Sequence, residues 1–178
     1  MVKFTASIAA LALAVAVAVT AAPAPVSQTT FSFAEWVEDI IANPETALSP
    51  DDAVAAANAA EIVSSSGGLT KRAWCQAHFP DAPAADAAAC LDDLARKGAQ
   101  GIMCGSADNE YALQMCRIRG AQVVASKGAN IGPTSANCND VARTGGLIFD
   151  SCWRADNTVK GSQACINEPR MSINIAGV

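Results

Sequence analysis

The placement of cysteine constrains this chain more than any other feature. All seven cysteines (Cys75, Cys90, Cys104, Cys116, Cys138, Cys152 and Cys165) lie beyond residue 74 of 178. None adjoins another and no Cys-x-x-Cys pair occurs. The close ligand pairs of structural zinc sites are therefore missing, and neither a metal nor another cofactor is expected. Cysteines spread this evenly, in a chain that meets an oxidising compartment, read as a disulfide framework. Three bridges leave one thiol over, available for an intermolecular bond or simply buried. Spacing alone does not say which thiol that is.

The amino terminus supplies the compartment. Lys3 forms a positive n-region, Ile8 to Val19 is an unbroken run of Ala, Leu, Val and Ile, and Val19-Thr20-Ala21 offers the small residues read by a signal peptidase. Cleavage after Ala21 is preferred over Ala22, which would put Pro23 at the scissile bond. The run of 12 residues is shorter than the roughly 17–25 that span a bilayer. Residues 1–21 thus read as a signal peptide, and the product is expected to be secreted, extracellular and without stable membrane insertion.

Charge divides the remainder. From Ala22 to Arg72 seven acids face only Lys71 and Arg72, a net of −5, whereas nine bases and ten acids from Ala73 onward leave −1. Lys71-Arg72 follows the spacer Ser64-Ser65-Ser66-Gly67-Gly68 and marks the point where the acid excess ends and the cysteines begin. A dibasic pair in such a setting is what kexin-type processing proteases cut. Residues 22–72 then form an acidic pro-segment and residues 73–178 a mature cysteine-rich domain. Near-neutral charge gives that domain no case for a nucleic-acid partner.

Two short helices are expected in the pro-segment. Ser32 with Glu35 makes a capping box ahead of the stripe Phe33, Trp36, Val37, Ile40 and Ile41; Ser49 caps a second helix with Pro50 at its first position, running to about Val63. The first helix could shield an apolar face of the folding domain, keep it inactive until release, or stay attached as an extension. In the mature domain a helix is expected from about Ala84 to Lys97, stopped at Gly98. A short buried strand follows at Gly101 to Cys104. Asn109–Ile118 and Ala121–Ser126 form a hairpin turned at Arg119-Gly120. Pro133-Thr134-Ser135 leads into a second helix that carries Cys138, Val141, Ala142, Gly145, Ile148, Phe149 and Cys152 on one face, weakened at Gly145-Gly146. Residues 154–170 read as loop, and Met171, Ile173 and Ile175 as a closing half-buried strand. The sum is an α+β fold: a small disulfide-stapled two-layer α/β sandwich, an antiparallel sheet with two helices, preceded by a helical pro-segment. Helix cysteines Cys90, Cys138 and Cys152 are placed to staple to Cys104 and Cys116. Cys138 and Cys152 cannot pair with each other, since 14 residues of helix separate them by about 21 Å against a limit near 7 Å.

Candidate chemistry is sparse. His78 is the only histidine, which excludes a two-histidine site and leaves any triad to be built near the new amino terminus. Asp92 and Asp93 point to different sides of a helix. Asp140 and Asp150 stand about 15 Å apart along one, wider than the roughly 5–9.5 Å of glycosidase carboxyl pairs. No catalytic residue is assigned. Arg117, Arg119 and Lys127 form a possible binding face around the hairpin, with ordinary solvation of an exposed edge the preferred reading of the group. Trp153 reads as packing beside Cys152.

A short Ala/Val-rich signal, the helical segment Phe33-Ala34-Glu35-Trp36-Val37, a Lys-Arg stop and a cysteine-rich domain resemble the small secreted effector-like proteins of ascomycete fungi. Cys138-Asn139-Asp140-Val141-Ala142-Arg143, followed by Ile148 to Cys152 and Met171-Ser172-Ile173-Asn174-Ile175, is similar to the fungal killer toxins of α/β-sandwich fold and to the extracellular necrosis-inducing effector family. The resemblance implies a non-enzymatic protein that binds an extracellular protein or cell-surface target of a host or competitor. The alternative is a small secreted hydrolase or enzyme inhibitor. Intact-mass measurement of secreted material should find a chain beginning at Ala73 and six hydrogens lighter than the fully reduced form, two per bridge; a chain beginning at Ala22 refutes the processing step.

Overall fold

A computed structural model describes residues 30–60, 73–75, 78–106 and 111–178. The expected signal peptide, the linker expected to follow it and the Lys71-Arg72 pair lie outside the described residues. The elements run α1 (Phe33–Ala42), α2 (Pro50–Ala59), β1 (Ala82–Pro83), α3 (Ala84–Ala99), β2 (Met103–Ser106), β3 (Ala112–Ile118), β4 (Ala121–Lys127), β5 (Thr134–Asn137), α4 (Cys138–Cys152), β6 (Thr158–Val159), β7 (Gly161–Cys165) and β8 (Glu168–Gly177).

An antiparallel four-stranded sheet of order β3-β4-β8-β7 forms one layer, and two short ladders, β1-β6 and β2-β5, flank it. Alternation dictates which face of the sheet is covered. Ala121, Val123 and Ala125 on β4 pair in register with Gly177, Ile175 and Ile173 on β8, and all of the side chains among them are buried. Helices α3 and α4 lie on that face, contributing Leu91, Leu94, Val141, Ile148 and Phe149, each fully buried. The α+β sandwich is therefore the architecture of the domain.

Three local readings need correction. Residues 154–170 hold β6 and β7, with β7 entering the main sheet beside β8. The polar residues there conceal a strand because its half-buried positions, Ser162 and Gln163, look like loop in isolation. Pro133-Thr134-Ser135 is not a simple lead-in, since Thr134–Asn137 pairs as β5 with β2. The strand expected at 101–104 is displaced to Met103–Ser106, and Met103 is exposed instead of buried. The hairpin, by contrast, turns at Arg119 and Gly120 as its sequence demands.

Disulfides tie the layers together. Cys90 on α3 joins Cys116 on β3, Cys104 on β2 joins Cys138 at the start of α4, and Cys75 joins Cys152 at its end. The sequence separations of 77, 26 and 34 correspond to roughly 3.5–4.5 kcal/mol each in the chain-entropy account. Cys165 is the unpaired cysteine and is buried.

Helices α1 and α2 do not stand apart from this domain. They form a third layer over α3 and α4, on the side away from the sheet. Phe33, Trp36, Val37 and Ile40 join the same core cluster as Leu91 and Phe149. At ~1.5–3 kcal/mol for each large side chain, those four supply on the order of 6–12 kcal/mol of gross burial. The glycine pair inside α4 has its explanation here. A methyl group at Gly145 would collide with Leu91 of α3, and one at Gly146 would stand 2.8 Å from Ala34 Cα and 3.0 Å from Phe33 O of α1. Lost helix propensity is exchanged for close approach of two neighbouring helices. Phe149, ringed by Phe33 at 4.3 Å and Trp153 at 6.0 Å between centroids, joins all of these contacts. Replacing it (Phe149→Ala) is expected to cost about 3–5 kcal/mol in urea unfolding of the full chain, and a loss under ~1 kcal/mol would contradict this packing.

Candidate functional site

The described chain resumes at Ala73, just past the dibasic pair. Trp74 N–H donates to Ser162 O at 2.8 Å and Ser162 N–H returns a bond to Trp74 O at 3.0 Å, so the segment adds an antiparallel bridge to the β7 edge. The adjoining Cys75–Cys152 bridge secures it to α4. A new amino terminus at Ala73 would be held on the domain surface. Trp74 is nevertheless 58% exposed and Phe79 42%, with the exposed His78 ring edge-on to Trp74 at 6.3 Å.

The other titratable residues are engaged in separate places. Asp92 and Asp93 pair along α3 with Arg96 at 2.9 Å and Lys97 at 2.6 Å. Asp140 pairs with Arg143 at 3.2 Å and accepts from Asn167 Nδ2 at 3.1 Å, whereas Asp150 faces α1. Among the described residues no cluster of His, Cys, Asp and Glu is placed to hold a metal ion. Arg117, Arg119 and Lys127 are not brought together. Arg117 is exposed on β3, and Arg119 in the turn pairs with Asp86 of α3 at 3.3 Å. Lys127, at the far end of β4 about 20 Å from the turn, is buried with Nζ donating to Gly132 O at 3.0 Å. Arg154 and Lys160 share Asp81 at 2.8 and 3.2 Å, and Arg170 forms an ion pair with Glu168.

The most elaborate construction was not singled out by the sequence: a groove across α3 and α4, filled by α1. Its floor is Gly146, Phe149 and Trp153, with Phe33 stacked on Trp153 at 5.3 Å. Its polar end is Asp150, which accepts from Ser32 Oγ at 2.7 Å, Phe33 N at 2.7 Å and Ala34 N at 3.1 Å. Ser32 itself caps Glu35 N at 3.3 Å, so two side chains share the donors of the first turn of α1, where the helix dipole favours an anion. Asp150 is exposed as a residue, but partial desolvation of its carboxyl beneath that turn pushes it above its ordinary value, against the pull of the three donors. About two turns of α4 earlier, Arg143 grips Glu38 through Nε at 2.6 Å and Nη2 at 2.9 Å. That bidentate bond lowers the Glu38 carboxyl below the usual carboxylate range. Arg96 Nη1 holds Pro44 O at 2.7 Å past the end of α1, and Trp36 Nε1 donates to Leu48 O at 3.0 Å. Gly145-Gly146 in an otherwise good helix was the visible signal of this groove.

Cys165 closes β7 with Sγ 3.3 Å from Ile166 O, near Thr144, whose Oγ1 accepts from Ile166 N at 3.0 Å. Burial chiefly, helped by the negative charges of Asp140 and Glu168, pushes its thiol up to about 11. A thiol in that state is poorly nucleophilic at neutral pH. Alkylation at pH 8 should leave the native chain unmodified and add one label per chain after unfolding without reductant. Rapid labelling of the native chain would show this thiol to be accessible.

Comparison with protein-family models matches residues 70–177 to a domain of unknown function, DUF8794. No curated protein and no solved structure matches the chain.

Proposed function

The chain belongs to the DUF8794 family, and from that starting point we propose an exported, kexin-processed binding protein of effector or toxin type, acting outside the cell on a host or competitor target. Three disulfides support the extracellular part of this reading, since such bridges persist in oxidising compartments. No helix among the described residues is long and apolar enough to cross a membrane. The family match begins at Thr70, beside Lys71-Arg72, which supports a division of the chain at that pair.

The observation that carries the binding role is the exposed pair Trp74 and Phe79. Large apolar side chains presented to solvent on a segment fixed by a disulfide and a backbone bridge are what protein-binding surfaces use. The Cys75–Cys152 bridge and the pairing of Trp74 with Ser162 limit the entropy lost when Trp74 is covered. The resemblance to secreted fungal effectors and killer toxins points the same way. A hydrolase would need His78 or a carboxylate pair within reach of one another and free to act; the described carboxylates that approach one another do so around an arginine, Glu38 and Asp140 at Arg143 and Asp81 and Asp156 at Arg154.

Infiltration of purified processed protein into plant tissue should produce cell death or suppress defence. Trp74→Ala should lower that potency at least about tenfold while leaving the melting temperature unchanged, and His78→Ala should retain activity. Loss of activity in His78→Ala with Trp74→Ala still active would replace the binding role by the hydrolase one.

A further inference from the structure

The groove filled by α1 is made entirely of residues that follow Lys71-Arg72, and the helix that fills it precedes that pair. We infer that residues 30–60 remain seated after the cut, so that the processed protein is a two-chain, non-covalent assembly and the α3–α4 groove is a helix-binding site. This rests on the processing reading given above and alters its product: the acidic segment is a subunit of the mature protein.

The groove is matched to this occupant in shape, polarity and charge. Gly146 leaves space that the backbone of Phe33 and Ala34 takes up. Phe33, Trp36, Val37 and Ile40 are each at most 4% exposed, so their burial is that of a core and not of a loosely laid extension. Asp150 satisfies donors at the N-terminus of α1, and Arg143 binds Glu38 one turn further along. Arg96 reaches Pro44 O beyond the end of the helix. Arg96, Arg143, Gly146, Phe149 and Asp150 all fall within the span matched by the family model, whereas α1 falls outside it. The domain thus carries a receptor for a segment that its own family boundary excludes.

Cleavage removes none of these contacts. Each contact named here joins described residues before and after the pair, and the cut converts docking under a tether, at an effective concentration on the order of millimolar, into a bimolecular equilibrium. Departure of the segment would uncover the Phe149 and Trp153 rings on which Phe33 lies and strip three donors from Asp150. An apolar patch of that kind is one that monomeric proteins rarely leave open. No cysteine precedes Cys75, so nothing covalent would hold the segment, and retention must come from the interface alone.

The test uses the full chain in two arms. In one, a site-specific protease sequence replaces residues 64–68 and the purified protein is cut there. In the other, the native chain is digested with a kexin-type protease and the fragments are identified by mass. The two pieces of the first arm should co-elute at about 10 μM in native buffer and appear as a 1:1 complex in native mass spectrometry. They should separate under denaturing, non-reducing conditions. Phe33→Ala on the segment should weaken the complex at least ~100-fold, as expected for loss of a buried aromatic, and Asp51→Asn on the exposed start of α2 should not. Separation of wild-type pieces in native buffer, with the domain still folded by near-ultraviolet circular dichroism, overturns the inference. An intact Lys71-Arg72 bond in the second arm overturns the processing reading and leaves the groove result standing by itself.

Discussion

Helix α4 is held at both ends by disulfides, to β2 through Cys138 and to the segment after the dibasic pair through Cys152, and it is covered on both sides between them. The sheet lies beneath it, α3 beside it and α1 above it. A helix in that position has no solvent face wide enough to be charged in the ordinary way. Its polar residues are accordingly pressed into service: Asp140 pairs with Arg143, Arg143 with Glu38, and Asp150 with the amino terminus of α1. Its two glycines mark the closest approaches of the neighbours. The rest of the molecule is arranged around this one buried helix.

The acidity of residues 22–72 takes on a different meaning in that light. Taken as composition, it marks a solvated segment that processing removes. In the folded chain Glu38 is bound by Arg143, and Glu45 lies close enough to Arg96 to raise its pKa along with Asp92. The acid excess of the segment and the bases of the domain are partly complementary. That complementarity orients α1, while the apolar stripe Phe33, Trp36, Val37 and Ile40 supplies most of the burial. Partly exposed ion pairs add little strength and a good deal of register.

Much of the fold was legible from residues alone because it is local. The caps at Ser32 and Ser49, the helix carrying Cys90, the turn at Arg119-Gly120 and the apolar stripe of α4 each follow from spacing within a few turns. What escaped was what depends on partners far away in sequence. β7 is a strand because β8 offers it a ladder, and β5 is one because β2 does. Neither has an apolar pattern strong enough to announce itself. The basic residues Arg117, Arg119 and Lys127 look like one face when counted along the hairpin. In three dimensions they divide between an exposed strand, an ion pair and a buried amine.

By itself the sequence determined an α+β domain, a disulfide framework with one cysteine over, and the point, at Lys71-Arg72, where charge and cysteine content change together. These follow from composition and short-range pattern, which survive without knowledge of contacts. The tertiary structure alone decided which cysteine stays unpaired, because pairing requires Cα atoms within roughly 7 Å, and the three bridged pairs stand at 5.0 to 5.6 Å. It alone decided as well that the helices before the dibasic pair share a core with the domain after it. An amphipathic stripe states that a helix must be covered; only the packing of Phe33 against Phe149 and Trp153, over a glycine with no room for a methyl group, states by what.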